Sequence, residues 1–196
     1  GDPGMGKSTI MKNNFQKFKN KSYFKWIAYI DFKNLPTDVL KFDLKILSEE
    51  INIANYLSKD ILNLSESEAE VFKQKFITGD VVFLWDSVDE IRTDYKNAAM
   101  LLHHIKQTKN IQWIASQPLF EQYLTKMFDT ESFYIHSFTD VELLEYYEKI
   151  AAFHNVPVTE ININFKNLQM LWMLNEFFND LKSITNNFDF YEKYLK

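Results

Sequence analysis

The amino-terminal residues Gly1-Asp2-Pro3-Gly4-Met5-Gly6-Lys7-Ser8-Thr9 satisfy every fixed position of the phosphate-loop pattern G-x-x-x-x-G-K-[ST]. Glycine lets consecutive backbone N–H groups curl inward on a phosphate with no Cβ in the way. Lys7 brings a compact positive charge to β- and γ-phosphates, and the Ser8 hydroxyl is a ligand for Mg²⁺. Ile10, Met11, Phe15 and Phe18 then recur at near-helical spacing. A helix is therefore expected to open at Lys7 or Ser8, with the positive end of its dipole toward the anion.

A phosphate loop alone binds anions; hydrolysis also needs a cation and a positioned water. The apolar run Val81-Val82-Phe83-Leu84-Trp85 leads directly into Asp86-Ser87-Val88-Asp89-Glu90. Open α/β sheets place ligands at the carboxyl ends of such strands, so Asp86 is expected to hold Mg²⁺ beside Ser8, through water. Asp89 and Glu90 follow within reach of a water attacking the γ-phosphate. Taken alone, the segment also reads as a solvated acidic loop. A third candidate, Gln117, follows the apolar segment Ile111-Gln112-Trp113-Ile114-Ala115. It donates a hydrogen bond to a γ-phosphate without bringing charge, although a plain strand-to-helix turn explains it equally well.

These residues need strands and helices to hold them. Residues 24–32 are aromatic and β-branched and end before Pro36, which marks a strand. Apolar positions at helical intervals mark helices over 37–57, 66–77 and 94–108, the second opened by the capping box Ser65-Glu66-Ser67-Glu68. Strands are expected at 81–85, 111–115 and 133–136, with a short helix at 119–127. Strands that alternate with helices, one of them apolar throughout, predict a parallel α/β sheet covered on both faces. Beyond Ser137 the pattern is helical only. Thr139-Asp140-Val141-Glu142 is a second capping box, and Leu143, Leu144, Tyr147, Ile150 and Phe153 form one stripe. Further helices are expected at 165–181 and 188–195. The division is thus an α/β core over 1–137 and a small all-helical domain over 138–196. The strand that should enter the phosphate loop is expected upstream of Gly1, so the chain reads as an excerpt of a longer one.

Composition narrows the function. The chain has 196 residues, 22 basic against 27 acidic, a net charge of −5, and no cysteine. That balance argues against a nucleic-acid binder, and the absence of cysteine excludes disulfides and thiolate chemistry. No apolar run approaches the length of a membrane span and no signal peptide is evident, so the cytoplasm is the expected location. The adjacent His103 and His104 diverge by about 100° on a helix and cannot chelate one ion.

The opening Gly1–Thr9, the strand ending Asp86-Ser87-Val88-Asp89-Glu90-Ile91, and Phe138-Thr139-Asp140 followed by Tyr146-Tyr147 together resemble a NACHT domain. NACHT domains are the STAND-class P-loop NTPases of NOD-like receptors, and Val71 through Tyr95 is similar to the arthropod type. The resemblance implies a P-loop NTPase sheet, with Lys7 and Ser8 or Thr9 on phosphate and Mg²⁺. Asp86 would serve the metal, and Asp89 or Glu90 the water. The chain departs from the family pattern in three places. Ser87 stands where glycine is usual, Gln117 replaces an arginine, and Asn167-Leu168-Gln169 lacks a proline.

The function implied is an ATP/ADP-binding molecular switch with slow Mg²⁺-dependent hydrolysis, a module of a larger innate-immune-type receptor that self-associates. ADP would hold the core against the helical domain, and exchange for ATP would release it. A non-hydrolysing scaffold that keeps nucleotide as a structural ligand is the alternative. A small-metabolite kinase is disfavoured, because the phosphate-clamping lid of such enzymes carries several arginines and Arg92 is the only arginine here.

Overall fold

A computed structural model describes residues 5–21, 25–36, 49–90, 95–130 and 132–157. The chain divides into two compact units, one of Lys7–Phe133 and one of Gly1–Gly6 with Tyr134–Lys196. The helices expected at 165–181 and 188–195 fall outside the described residues, as does most of the one expected at 37–57.

Among the described residues, the larger unit is built on a parallel sheet of three strands, β1 (Trp26–Asp31), β2 (Val81–Asp86) and β3 (Ile111–Ile114), in the order β1-β2-β3. Its helices are α1 (Lys7–Lys21), α2 (Glu50–Tyr56), α3 (Glu66–Thr78), α4 (Tyr95–Lys106) and α5 (Glu121–Phe128). Every residue of β2 is buried, as its unbroken apolar run requires of a central parallel strand.

Register determines which side chains share a face. Tyr29 pairs with Leu84, and Leu84 with Trp113. This face carries α1: Phe15 packs on Tyr29 at 6.0 Å and Phe18 meets Trp113 edge-on at 5.7 Å. Met11, Phe15 and Phe18 form the inward stripe at helical spacing, whereas Ile10, expected on it, is exposed because it lies one residue step around the helix. On the opposite face Phe83 and Trp85 stack at 5.0 Å, with Phe32 on Trp85 and both Phe72 and Phe76 on Phe83. Ala98, Leu101, Leu102 and Ile105 of α4 close that core, as their periodicity predicts.

Local signals fix the ends of elements. Ser65 accepts from the Glu68 amide while the Glu68 carboxylate accepts from the Ser65 amide, completing the capping box of α3. Gly79 ends that helix in the left-handed region, at φ 81°. The strand expected at 24–32 stops at Asp31, whose side chain accepts from the Lys33 amide and turns Phe32–Asn34 into a 3₁₀ segment. A π turn, Leu57–Ile61, follows α2.

The strand expected at 133–136 is absent: these residues are irregular. Aromatic and β-branched composition favours a strand only where a half-buried pleated surface receives it. Here Phe133 is 91% exposed and joins no ladder.

In the carboxyl-terminal unit, the described helix is α6 (Asp140–His154), opened by the expected capping box of Thr139 and Glu142. Leu143, Ile150 and Ala151 are buried, but Leu144 and Phe153, expected on the same stripe, are exposed.

Candidate functional site

Gly1 to Gly4 lie outside the described residues, so the carboxyl half of the phosphate-loop motif is where its geometry is visible. Gly6 has φ 82°, a backbone conformation that L side chains rarely adopt, and α1 begins at the next residue, Lys7. The motif's second glycine therefore meets a conformational requirement at that position. Lys7 and Ser8 form the first turn of α1 and are partly buried; Thr9 is exposed.

The direction of α1 follows from chain length. Phe15 lies at the level of Tyr29. If α1 ran parallel to β1, Lys21 would lie about 20 Å from Trp26, farther than a four-residue link spans at about 18 Å fully extended. The helix therefore runs antiparallel to the strands. Lys7 sits about 12 Å up the helix from Phe15, at the carboxyl end of the sheet.

Asp86 is the last residue of β2, at that same end. It is two residues beyond Leu84, the register partner of Tyr29, so its side chain emerges on the face covered by α1. Within the larger unit, Lys7, Ser8 and Asp86 thus share one face and one end of the sheet. Helix α1 lies against both β1 and β2.

Asp86 is 1% exposed. Its Oδ2 accepts from the Tyr29 hydroxyl at 2.8 Å and its Oδ1 from the Ser87 amide at 3.0 Å. Among the described residues, its hydrogen-bond donors are neutral. A buried carboxylate held only by neutral donors is suited to a cation. The available atoms, a carboxylate and a hydroxyl, are the hard oxygens that Mg²⁺ prefers. No group of three or more His, Cys, Asp or Glu among the described residues could cage a metal by itself. Mg²⁺ does not need such a cage, because it commonly binds through one or two carboxylates plus substrate phosphates and water.

The remaining candidates are placed as follows. Asp89 lies in a 3₁₀ turn, Val88–Glu90, just beyond Asp86, with both carboxylate oxygens withdrawn from solvent. Glu90 ends that turn, and its side chain is outside the described residues. Gln117 is partly buried and follows β3, the strand that neighbours β2; its carbonyl accepts from the Phe120 amide at the start of a 3₁₀ turn.

Two residues at this end of the sheet carry no motif. Tyr29 is 57 positions from the aspartate it contacts, a link visible only through strand register. Burial, and then the bond to Asp86, push its phenol well above the ordinary range. Asp31 pairs with Asp86 in the register and shares its face, but its carboxylate is engaged by the Lys33 amide and the Asn34 side-chain amide.

In comparisons with known proteins, no family model, curated protein or solved structure matches the chain. No helix among the described residues is long and apolar enough to cross a membrane.

Proposed function

We propose that the chain is a nucleotide-binding switch module of the NACHT type, working in the cytoplasm within a larger signalling protein that self-associates. ATP or ADP binds with Mg²⁺ at the amino end of α1. The reading is supported most strongly by a helix that opens at Lys7, just after the left-handed Gly6, and lies on a sheet whose central strand ends in the buried Asp86. A chance glycine-rich turn has no reason to lead into a helix lying over a buried acid.

The roles follow from the chemistry of each group. Lys7 neutralises β- and γ-phosphate charge, while the amides at the start of α1 donate to phosphate oxygen. Ser8 and Asp86 would hold Mg²⁺, which supplies charge neutralisation on the phosphates when bound. Asp89 and Glu90 orient the attacking water and accept its proton.

Turnover is expected to be slow. An arginine directed at the transferring phosphate contributes roughly 10³–10⁵ in rate where it acts. Gln117, three residues beyond β3, is neutral, and Arg92 is the only arginine in the sequence. Slow turnover suits a switch whose nucleotide state must persist.

The test is chromatography of nucleotide released from purified protein. Wild type is expected to carry adenine nucleotide and Lys7→Ala to lose it. Equal occupancy in the two would remove the phosphate role from Lys7 and the reading with it.

A further inference from the structure

We infer that Tyr29 is a positioning residue for Asp86, tying the acid at the end of β2 to the helix that opens with Lys7 and Ser8. The inference rests on the nucleotide-site reading above and adds a residue that no motif contains.

Three contacts carry it. The Tyr29 hydroxyl donates to Asp86 Oδ2 at 2.8 Å, while the Ser87 amide donates to Oδ1 at 3.0 Å. With one donor on each oxygen, the carboxylate plane is fixed. A carboxylate has about four lone-pair sites, so these two bonds leave acceptor capacity for a cation or its water. The third contact sets the ring of Tyr29: Phe15 of α1 packs on it with centroids 6.0 Å apart. Phe15 lies two turns beyond Lys7 on the same helix. Side chains thus run from α1 to Tyr29 on β1 and across to Asp86 on β2.

Two opposing effects of the hydroxyl must be weighed. Donation to Asp86 withdraws electron density and weakens the carboxylate as a ligand. It also stops the carboxylate rotating, so that no ordering cost arises when the ion arrives. Partners that orient a ligating group typically contribute 10–100-fold in metal affinity, so orientation is expected to dominate. Phenylalanine at position 29 would keep the ring against Phe15 and remove only the donor.

The experiment measures ADP affinity as a function of Mg²⁺ concentration in wild type, Tyr29→Phe, Asp86→Asn and the double variant, with folding followed by circular dichroism. Tyr29→Phe is expected to raise the Mg²⁺ concentration at half-effect about tenfold and to leave ADP binding without Mg²⁺ unchanged. In the Asp86→Asn background the same change is expected to have no effect on Mg²⁺ dependence, because the group it orients is gone. A folded Tyr29→Phe with an unchanged or lowered Mg²⁺ midpoint overturns the inference. So does a full Tyr29→Phe effect in the Asp86→Asn background, which would mark the hydroxyl as acting elsewhere. If Tyr29→Phe unfolds, Phe15→Leu replaces it: loosening the ring is expected to raise the midpoint severalfold, and no change overturns the inference. Failure of the underlying reading looks different, since Asp86→Asn alone would then leave the Mg²⁺ dependence of wild type intact.

Discussion

Ser87 turns its own amide back onto the carboxylate of Asp86, 3.0 Å away, and does so with a left-handed backbone at φ 58°. The strand must bend sharply here if the acid is to stay on the α1 face while the chain leaves the sheet. Only glycine adopts this positive φ without a steric penalty. Serine bears a strain of about 1 kcal/mol at this position.

Ser87→Gly is therefore expected to leave stability unchanged or raise it by up to about 1 kcal/mol, since relief of strain offsets the added freedom of the unfolded chain. Ser87→Val, with a β-branched side chain in the same conformation, is expected to cost about 2 kcal/mol. Urea denaturation of both variants checks the pair, and a stabilising valine would show that the bend is not strained.

At the other end of β2, Asn110 ties that strand to α3 and to the turn before β3. Its side-chain oxygen accepts from the Val81 amide at 3.0 Å, and its side-chain nitrogen donates to the Phe76 carbonyl at 2.9 Å and to Thr108 at 3.0 Å. Asn110→Ala leaves the buried Val81 amide without its partner, while the Phe76 carbonyl keeps the Gly79 amide, for an expected loss of about 2 kcal/mol. Denaturant midpoints measure it; a loss under about 0.5 kcal/mol would mean that water replaces the side chain.

Gly79 closes α3 at φ 81°, and a Cβ there would collide with the side chain of Lys109. Gly79→Ala therefore combines backbone strain with a clash, and is expected to cost about 2 kcal/mol. Lys109→Gly in the same chain would remove the nearest contact but leave the close Lys109 backbone and the strain, so thermal denaturation should show partial recovery.

Acid sensitivity follows from the two capping boxes. Hydrogen bonds from Ser65 hold the Glu68 carboxyl below its ordinary value of 4.5, and those from Thr139 do the same for Glu142. A carboxyl whose value is depressed on folding contributes stability that is present above the unfolded value and lost as pH falls through the folded one. Stability is therefore expected to decline as pH drops below 4.5. Glu68→Gln should decline less steeply there, measured by urea midpoints across the acid range. An identical slope in the variant would remove the box from the acid response.

Parts of this were legible in the sequence because they rest on local chemistry. The capping boxes, the all-buried Val81–Asp86 strand and the inward residues of α4 each follow from spacing and side-chain type. The helix opening at Lys7 and the aspartate ending the central strand were legible for the same reason. What was not legible depends on partners distant in the chain. Tyr29 meets Asp86 only once β1 and β2 are in register. Phe133 belongs to a run that looks like a strand, but it finds no edge to join. The 3₁₀ segment after β1 turns on a single side chain, Asp31, folding back on the Lys33 amide. No periodicity announces such a bond.

The most direct measurement is a crystal structure of the protein grown with Mg²⁺ and ADP. Phosphate density is expected at the Lys7 amide and ammonium, with one ion between the Ser8 hydroxyl and the Asp86 carboxylate. Nucleotide bound elsewhere, or an ion that touches neither Ser8 nor Asp86, would contradict it.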